Sequence, residues 1–146
     1  MVCSPIHTSW LRQHESARLN AFQARCLRRI LGIKHSYVSR VTNAAVLQRA
    51  GRGKLSDLLL RRQLILFGDI ARKADDHPVR MIVFQPSSSE LAQAPGRRKR
   101  GRPRQAWATE LSKHAKQICR NSDWNFSDLG TFPAEAWKAA VRKYTV

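Results

Sequence analysis

The chain has 146 residues and carries 27 Lys and Arg against 10 Asp and Glu, which gives a formal net charge of +17. Charge of this size opposes compaction unless a polyanion neutralises it, so nucleic acid is the leading predicted partner. The apolar runs are far shorter than the roughly 20 residues of a membrane span, and three scattered cysteines fit a reducing compartment. We therefore expect a protein of the nucleus or cytoplasm with no membrane partner.

The first predicted helix follows an irregular N-terminal segment, residues 1–15, and runs from 16 to 31 with Gly32 as its stop. Apolar residues at helical spacing predict one buried stripe, formed by Leu19, Phe22, Cys26 and Ile30. Basic residues predict a second, separate stripe, formed by Arg18, Arg25, Arg28 and Arg29. These arginines are either a solvated face or a set of phosphate contacts, and the sequence leaves both interpretations open.

A short helix, capped by Thr42 or Asn43, precedes the most apolar segment of the chain, residues 55–73. This segment predicts a helix that starts at a Ser56 cap and is apolar on nearly every side, so other elements must cover it. Its narrow polar arc supplies two further candidate nucleic-acid contacts, Arg61 and Arg62. A helix-turn-helix interpretation is disfavoured, because the second helix is apolar where it would meet base edges.

Residues 86–104 are rich in Pro, Ser, Gly and Arg and are predicted to form a flexible basic linker without a core. Its centre, RGRP, resembles the core of an AT-hook, in which glycine and proline let two arginines lie along a narrow groove. The candidate contacts in the linker are Arg97, Arg98, Lys99, Arg100, Gly101, Arg102, Pro103 and Arg104. Minor-groove binding, nuclear import or nonspecific phosphate binding, and an inert solvated linker all stay open as interpretations.

Helical spacing resumes in a C-terminal unit, residues 105–146. The first predicted helix of this unit has an apolar stripe formed by Trp107, Leu111, Ala115 and Ile118. Pro133 suits a first helical turn, and the helix after it has a stripe formed by Trp137, Val141 and Tyr144. The end of the chain is therefore expected to be a small helical unit.

Two local patterns invite a chemical interpretation, and neither is complete. His114 and Cys119 have the spacing of half a zinc knuckle, but a tetrahedral site needs two further ligands. Asp75 and Asp76 invite comparison with the paired aspartates of polymerase palms, yet they precede His77 and Pro78, where Asp is an ordinary turn former. We expect no enzyme, no metal, no cofactor and no small-molecule substrate.

Five blocks occur along the chain in the order RLNAFQARCLRRILGI, NAAVLQRAG, LLLRRQLILFGDIARK, GRRKRGRPRQAW and AWKAAVRKY. This order, which covers most of residues 18–144, resembles the region after the polymerase core in non-LTR (LINE-like) retrotransposon reverse transcriptases. The family's first block follows a Phe-x-Arg-x-Cys-Leu-Arg-x-Ile-Leu-Gly pattern. The residues that approximate it here are Phe22, Arg25, Cys26, Leu27, Arg28, Ile30, Leu31 and Gly32. Where the family usually has Gly-His, this chain has Gly68-Asp69.

The resemblance implies a parent protein that joins an endonuclease to an RNA-directed DNA polymerase, and this chain matches neither module. The task it implies for this region is to hold template RNA or target DNA. A reverse transcriptase core is a further candidate partner.

The sequence as a whole predicts a mainly α protein, with a small helical bundle over 16–85, a flexible basic linker over 86–104 and a short helical unit over 105–146. The predicted function is noncatalytic, weakly sequence-specific binding of RNA or DNA phosphates. The predicted contacts on the helices are Arg25, Arg28, Arg29, Arg61 and Arg62. The alternatives are a protein-interaction module that docks on a polymerase or chromatin partner, and a retroelement remnant without a selected function.

Overall fold

The computed structural model describes residues 10–92 and 107–144, which are mainly helical, as the sequence predicted. In chain order the helices are α1 (Gln13–Ile30), α2 (Ser36–Ser39), α3 (Asn43–Arg49), α4 (Leu55–Ala71), α5 (Pro78–Val83), α6 (Trp107–Asn121) and α7 (Ala134–Lys143). A single turn of 3₁₀ helix, Phe126–Asp128, lies between α6 and α7. The AT-hook-like run and the linker contacts Arg97 to Arg104 lie outside the described residues.

The chain divides into two compact units, and the division falls inside α4. The N-terminal unit is Leu11–Leu60, and the C-terminal unit is Arg61–Val146 together with Met1–Trp10. The sequence grouped residues 16–85 instead, because an uninterrupted apolar helix gives no sign that its two ends belong to different units. The units are described separately below.

Helix α1 begins at Gln13, earlier than the predicted start at residue 16. Glu15 stabilises this start, because its Oε2 accepts a hydrogen bond of 2.6 Å from the backbone N–H of Arg12. The helix ends at Ile30, and Gly32 adopts the left-handed conformation with φ +65°, as the predicted glycine stop requires. Helix α1 packs against α3.

The first turn of α4 is capped by side chains of α1, and the predicted Ser56 cap is wrong. Ser56 lies inside the helix. The backbone N–H of Leu55 donates to Gln23 Oε1 at 2.8 Å, and that of Ser56 donates to Asn20 Oδ1 at 3.1 Å. Gln23 Nε2 also donates to the Gly53 carbonyl at 2.8 Å. Two of the free N–H groups at this helix start are thus satisfied from another helix, which local sequence patterns do not reveal.

The apolar stripe predicted for α1 is not the buried one. Phe22 is 55% exposed and Ile30 is 77% exposed, and Cys26 is exposed as well. The buried residues of α1 are instead Ala24 and Arg28. The physical reason is a set of hydrogen bonds made by Arg28, which is described with the candidate interface.

The C-terminal unit is organised around an apolar core that covers α4, as the sequence predicted. The largest fully buried side chains of this core are Leu64, Phe67, Phe84, Leu111, Ile118, Leu129, Trp137 and Val141. The ring of Phe67 lies 5.0 Å from that of Phe84 and 6.2 Å from that of Trp107, between ring centroids. Most residues of the stripes predicted for the two C-terminal helices are buried, namely Leu111, Ala115, Ile118, Trp137 and Val141, whereas Trp107 and Tyr144 are half-buried.

Residues 86–92, which the sequence placed in the linker, fold back in a tight turn after α5. Phe84 and Leu91 form an isolated antiparallel β-bridge, and the backbone N–H of Gln85 donates to the Glu90 carbonyl at 2.8 Å. Ser89 is buried and donates its hydroxyl to the Ser127 carbonyl at 2.9 Å. The serine-rich composition of this segment predicted a linker. The hydrogen bonds that order the segment depend on tertiary contacts, and composition does not report such contacts.

Gly68 allows the closest approach in the C-terminal unit. Trp137 donates its indole N–H to the Leu64 carbonyl at 2.9 Å, and a Cβ on Gly68 would lie 2.3 Å from the same Nε1 atom. Only a residue without a side chain lets the indole reach this carbonyl of α4.

We predict that Gly68→Ala lowers the free energy of unfolding of the C-terminal unit by about 1–3 kcal/mol, because the buried indole must shift. The better helix propensity of alanine, about 1 kcal/mol, acts in the opposite direction and does not offset the clash. Urea unfolding followed by tryptophan fluorescence measures the change, since all four tryptophans belong to this unit. Gly53→Ala is the matched control, because nothing lies within 4 Å of its added Cβ. Equal stability of the two variants would contradict the prediction.

Candidate nucleic-acid interface

One face of α1 combines apolar and cationic side chains and is open to solvent. Its exposed residues, called the α1 stripe below, are Phe22, Arg25, Cys26, Arg29 and Ile30. They recur at spacings of three and four residues, so they lie on one side of the helix. At about 1.5 Å per residue the stripe is about 12 Å long. Apolar and basic residues that the sequence assigned to two separate faces are therefore interleaved on this one, while Arg28 of the predicted basic face is buried.

A groove of about 630 Å³ runs along the α1 stripe and the turn that follows it, and is called the α1 groove below. Beyond the stripe it is lined by Arg28 and by Ile33, Lys34 and His35. Phe22, Ile30 and Ile33 supply apolar surface, and Arg25, Arg29 and Lys34 supply positive charge. The arrangement suits a ligand that carries apolar surface next to negative charge.

Arg28 holds the segment that forms the far side of the α1 groove. It is only 5% exposed, and its guanidinium nitrogens donate four hydrogen bonds. The acceptors are the Lys34 carbonyl at 3.1 Å, Ser39 Oγ at 3.3 Å, the Val41 carbonyl at 2.5 Å and Asn43 Oδ1 at 3.1 Å. Arg28 was predicted as a phosphate contact, and in the structure its guanidinium is buried and engaged in these four hydrogen bonds. Arg28 positions the groove instead.

Two aromatic rings, those of His35 and Tyr37, form a pair in the segment that follows α1. The sequence analysis did not predict this pair. The rings of His35 and Tyr37 are stacked, with centroids 5.9 Å apart and planes 10° apart. Tyr37 is 75% exposed, and His35 is exposed as well. The signal was available, since Ile33, Lys34, His35 and Tyr37 follow the glycine stop as a short basic and aromatic run.

The positive charge of the N-terminal unit is not balanced by acidic residues. Leu11–Leu60 contains ten Lys and Arg but only two acidic residues, Glu15 and Asp57. Within the described residues the ion pairs belong to the C-terminal unit, at Asp69–Arg72, Asp75–Arg80, Glu110–Lys113 and Glu135–Lys138. The exposed guanidinium groups of Arg25 and Arg29 are therefore free to bind anions.

The remaining helix candidates, Arg61 and Arg62, belong to the C-terminal unit. Arg61 is half-buried, and its Nη2 donates to the Tyr144 carbonyl at 3.4 Å. Arg62 is exposed. The structure thus brings Arg25 and Arg29 together on one helix face and leaves Arg62 as a separate exposed cation.

Asp75, which the sequence compared with a catalytic carboxylate, has a structural role. Its Oδ1 accepts a hydrogen bond of 2.8 Å from Arg80 Nε, and its Oδ2 accepts one of 2.7 Å from Ser87 Oγ. These bonds, that of Ser87 first, lower the pKa of the Asp75 carboxyl below its usual value. Arg80 is buried and also donates to the carbonyls of Ala71 and Ser88, so the pair fixes the turn after α5.

The half zinc pattern is likewise engaged in packing. Among the described residues, no group of three or more His, Cys, Asp and Glu side chains could hold a metal ion. His114 Nδ1 lies 2.9 Å from the Tyr144 hydroxyl, and burial lowers the pKa of its ring. Cys119 is buried, and burial raises the pKa of its thiol to about 11.

We predict that Arg28→Lys lowers the unfolding free energy of the N-terminal unit by about 2 kcal/mol, because an ammonium cannot span the four acceptors of the planar guanidinium. Hydrogen exchange of residues 34–43 should accelerate in this variant, since these residues lose their attachment to α1. Arg29→Lys is the matched control, because Arg29 is exposed, and it should change stability by less than about 0.5 kcal/mol. Unchanged exchange in Arg28→Lys would show that the buried bonds do not hold this segment.

We also predict that the thiols of Cys26 and Cys119 differ strongly in reactivity. In a Cys3→Ser background, a thiol reagent at neutral pH should modify exposed Cys26 rapidly and should reach Cys119 only after unfolding. A Cys26→Ser variant should remove the fast phase. Two fast phases in the folded Cys3→Ser protein would contradict the burial of Cys119.

Within residues 10–92 and 107–144, no helix is both long enough and apolar enough to cross a membrane. Comparisons with protein-family models, with curated proteins and with solved structures gave no match to this chain. The resemblance to retrotransposon reverse transcriptases therefore stays an interpretation of the ordered sequence blocks. Functional conclusions have to be drawn from the chemistry of the interface residues themselves.

Proposed function

We propose that this protein binds nucleic acid through its phosphates and catalyses no reaction on it. The observation that carries the proposal is the α1 stripe, where Arg25 and Arg29 are exposed in a unit with ten basic and only two acidic residues. Such a surface neutralises phosphates of a polyanion and displaces the cations condensed on them, and the release of these counterions supplies affinity for any sequence.

The noncatalytic part of the proposal is supported by the engagement of two groups that the sequence patterns compared with catalytic or metal-binding residues. Asp75 is paired with Arg80, and His114 is bonded to Tyr144. In contrast, the cations of the α1 stripe face solvent. Binding therefore fits the side chains that are available, and the basic run Arg97 to Arg104 adds six further cations to the proposed contact set.

The test is binding of the full chain to single-stranded RNA, to AT-rich duplex and to GC-rich duplex across a salt series. If about six phosphates are neutralised, the log-log salt slope of the association constant should be about −4 on single strands and about −5 on duplex. Arg25→Gln/Arg29→Gln should weaken binding to every ligand and make the slope shallower by about one per residue. Binding that does not change with salt would contradict the proposal.

Two further variants separate the sources of charge. Arg120→Gln/Lys143→Gln is the matched control, because it removes two exposed cations of the C-terminal unit. It should leave binding nearly unchanged. Arg100→Ala/Arg102→Ala tests the linker, and a selective loss of AT-rich duplex binding in this variant would assign minor-groove contacts to it.

A second candidate function is protein contact through α5. Three of its six residues expose apolar side chains, namely Val79, Met81 and Ile82, the last at 78%. Contiguous exposed apolar surface is typical of interaction sites. Met81→Ser/Ile82→Ser should abolish any self-association seen by sedimentation and should leave nucleic-acid binding intact.

A further inference from the structure

We infer that the α1 groove receives an unpaired base of a single-stranded nucleic acid, while Arg25 and Arg29 bind the phosphates beside it. This inference deepens the proposed function and rests on it. It concerns the form of nucleic acid that the N-terminal unit prefers, which phosphate contacts alone do not determine.

The first argument is the chemistry of the groove walls. Phe22 is 55% exposed and Ile30 is 77% exposed, although both lie beside arginines that face solvent. A ligand that offers only phosphates leaves this apolar surface in water. A nucleotide with an unstacked base covers it, because the base is a flat, largely apolar group attached next to a phosphate.

The second argument is size. A volume of about 630 Å³ falls within the range of about 300–1,000 Å³ that is common for small-molecule sites. A base with its sugar fits such a space. The base pairs of an intact duplex do not, because their faces are stacked on one another and only their edges reach the grooves.

The third argument is the exposed pair of aromatic rings, His35 and Tyr37, at the end of the segment that lines the groove. His35 lines the groove and stacks on Tyr37, and both rings are exposed. Aromatic faces next to cations are the usual platform for single strands, since stacking accepts any base. A base just outside the groove can therefore stack on the rings of this pair, which form a second stacking surface of the unit.

The interleaving of apolar and cationic side chains favours this occupant over an acidic peptide. The stripe alternates apolar and cationic residues every three or four positions, in a unit with ten basic and two acidic residues. A single strand repeats base and phosphate in every nucleotide, so each step along it offers both kinds of contact. An acidic peptide with apolar residues is the competing ligand that the test includes.

The experiment measures binding of labelled oligothymidylate of about 12 nucleotides, a length within the usual range of about 4–16 per binding site. The comparison ligands are an abasic strand with the same number of phosphates, a duplex of equal length and a Glu-rich peptide. Phe22→Ala should weaken oligothymidylate binding about tenfold without changing the salt slope, because a base contact is lost and no phosphate contact. Tyr37→Ala should act in the same direction.

The control variant is Leu58→Ala, which removes an exposed apolar side chain of the N-terminal unit outside the groove lining. It should bind oligothymidylate like the unchanged protein. Binding of the abasic strand and of the duplex should be insensitive to Phe22→Ala. Circular dichroism confirms that each variant is folded, as expected for substitutions at exposed positions.

The outcomes separate the two proposals. Salt-dependent binding to all nucleic acids with no effect of Phe22→Ala would overturn the base site and keep the proposed function. Absence of salt-dependent binding to any nucleic acid would overturn both. Preferential binding of the Glu-rich peptide would also overturn the base site, because it would assign the groove to a protein ligand.

Discussion

The buried guanidinium of Arg28 is the interaction on which the N-terminal unit depends. Removing a cation from water is costly, and no carboxylate of the described residues is paired with this one. The compensation comes from four neutral acceptors, two of them backbone carbonyls, spread over residues 34–43. This segment contains only the single turn of α2 and the start of α3, so it has little regular structure of its own. Arg28 attaches it to α1 and thereby creates a groove where an isolated helix would present a convex surface.

The same interaction explains why the exposed face of α1 was predicted incorrectly. Leu19, Phe22, Cys26 and Ile30 form a regular apolar stripe, and such stripes normally face a core. Arg28 was assigned to the solvent side because an arginine is rarely buried. In the structure its bonds bring that side of the helix inward, next to Ala24. Hydropathy periodicity reports which residues share a face of a helix but not which face is covered. In α1 the hydrogen bonds of Arg28 determine which face is buried.

Where apolar periodicity and packing agree, the sequence predicted the structure well. Leu111, Ala115 and Ile118 on α6 and Trp137 and Val141 on α7 are buried as expected. Several of the features that were missed depend on hydrogen bonds that link separate elements of the chain. Examples are the capping of α4 by Asn20 and Gln23, the Ser89 bond to Ser127, and the Arg80 contacts with Asp75 and Ala71. The groove residue His35 and its stacking partner Tyr37 were missed because two residues of a connecting segment carry no periodic signal.

The interleaved composition of the α1 stripe also bears on how such a face should be interpreted. A stripe that faces a protein core gains nothing from Arg25 and Arg29 at its centre, since burying two further guanidinium groups costs free energy that additional hydrogen bonds or carboxylates would have to offset, and this unit has only two acidic residues. A purely solvated face gains nothing from exposed Phe22 and Ile30. A ligand that carries apolar and anionic groups at short intervals avoids both free-energy costs, because it pairs with the arginines and covers Phe22 and Ile30. We therefore propose the α1 stripe as a ligand-binding surface and not a core face or a solvent face, and nucleic acid is a polymer with that repeat.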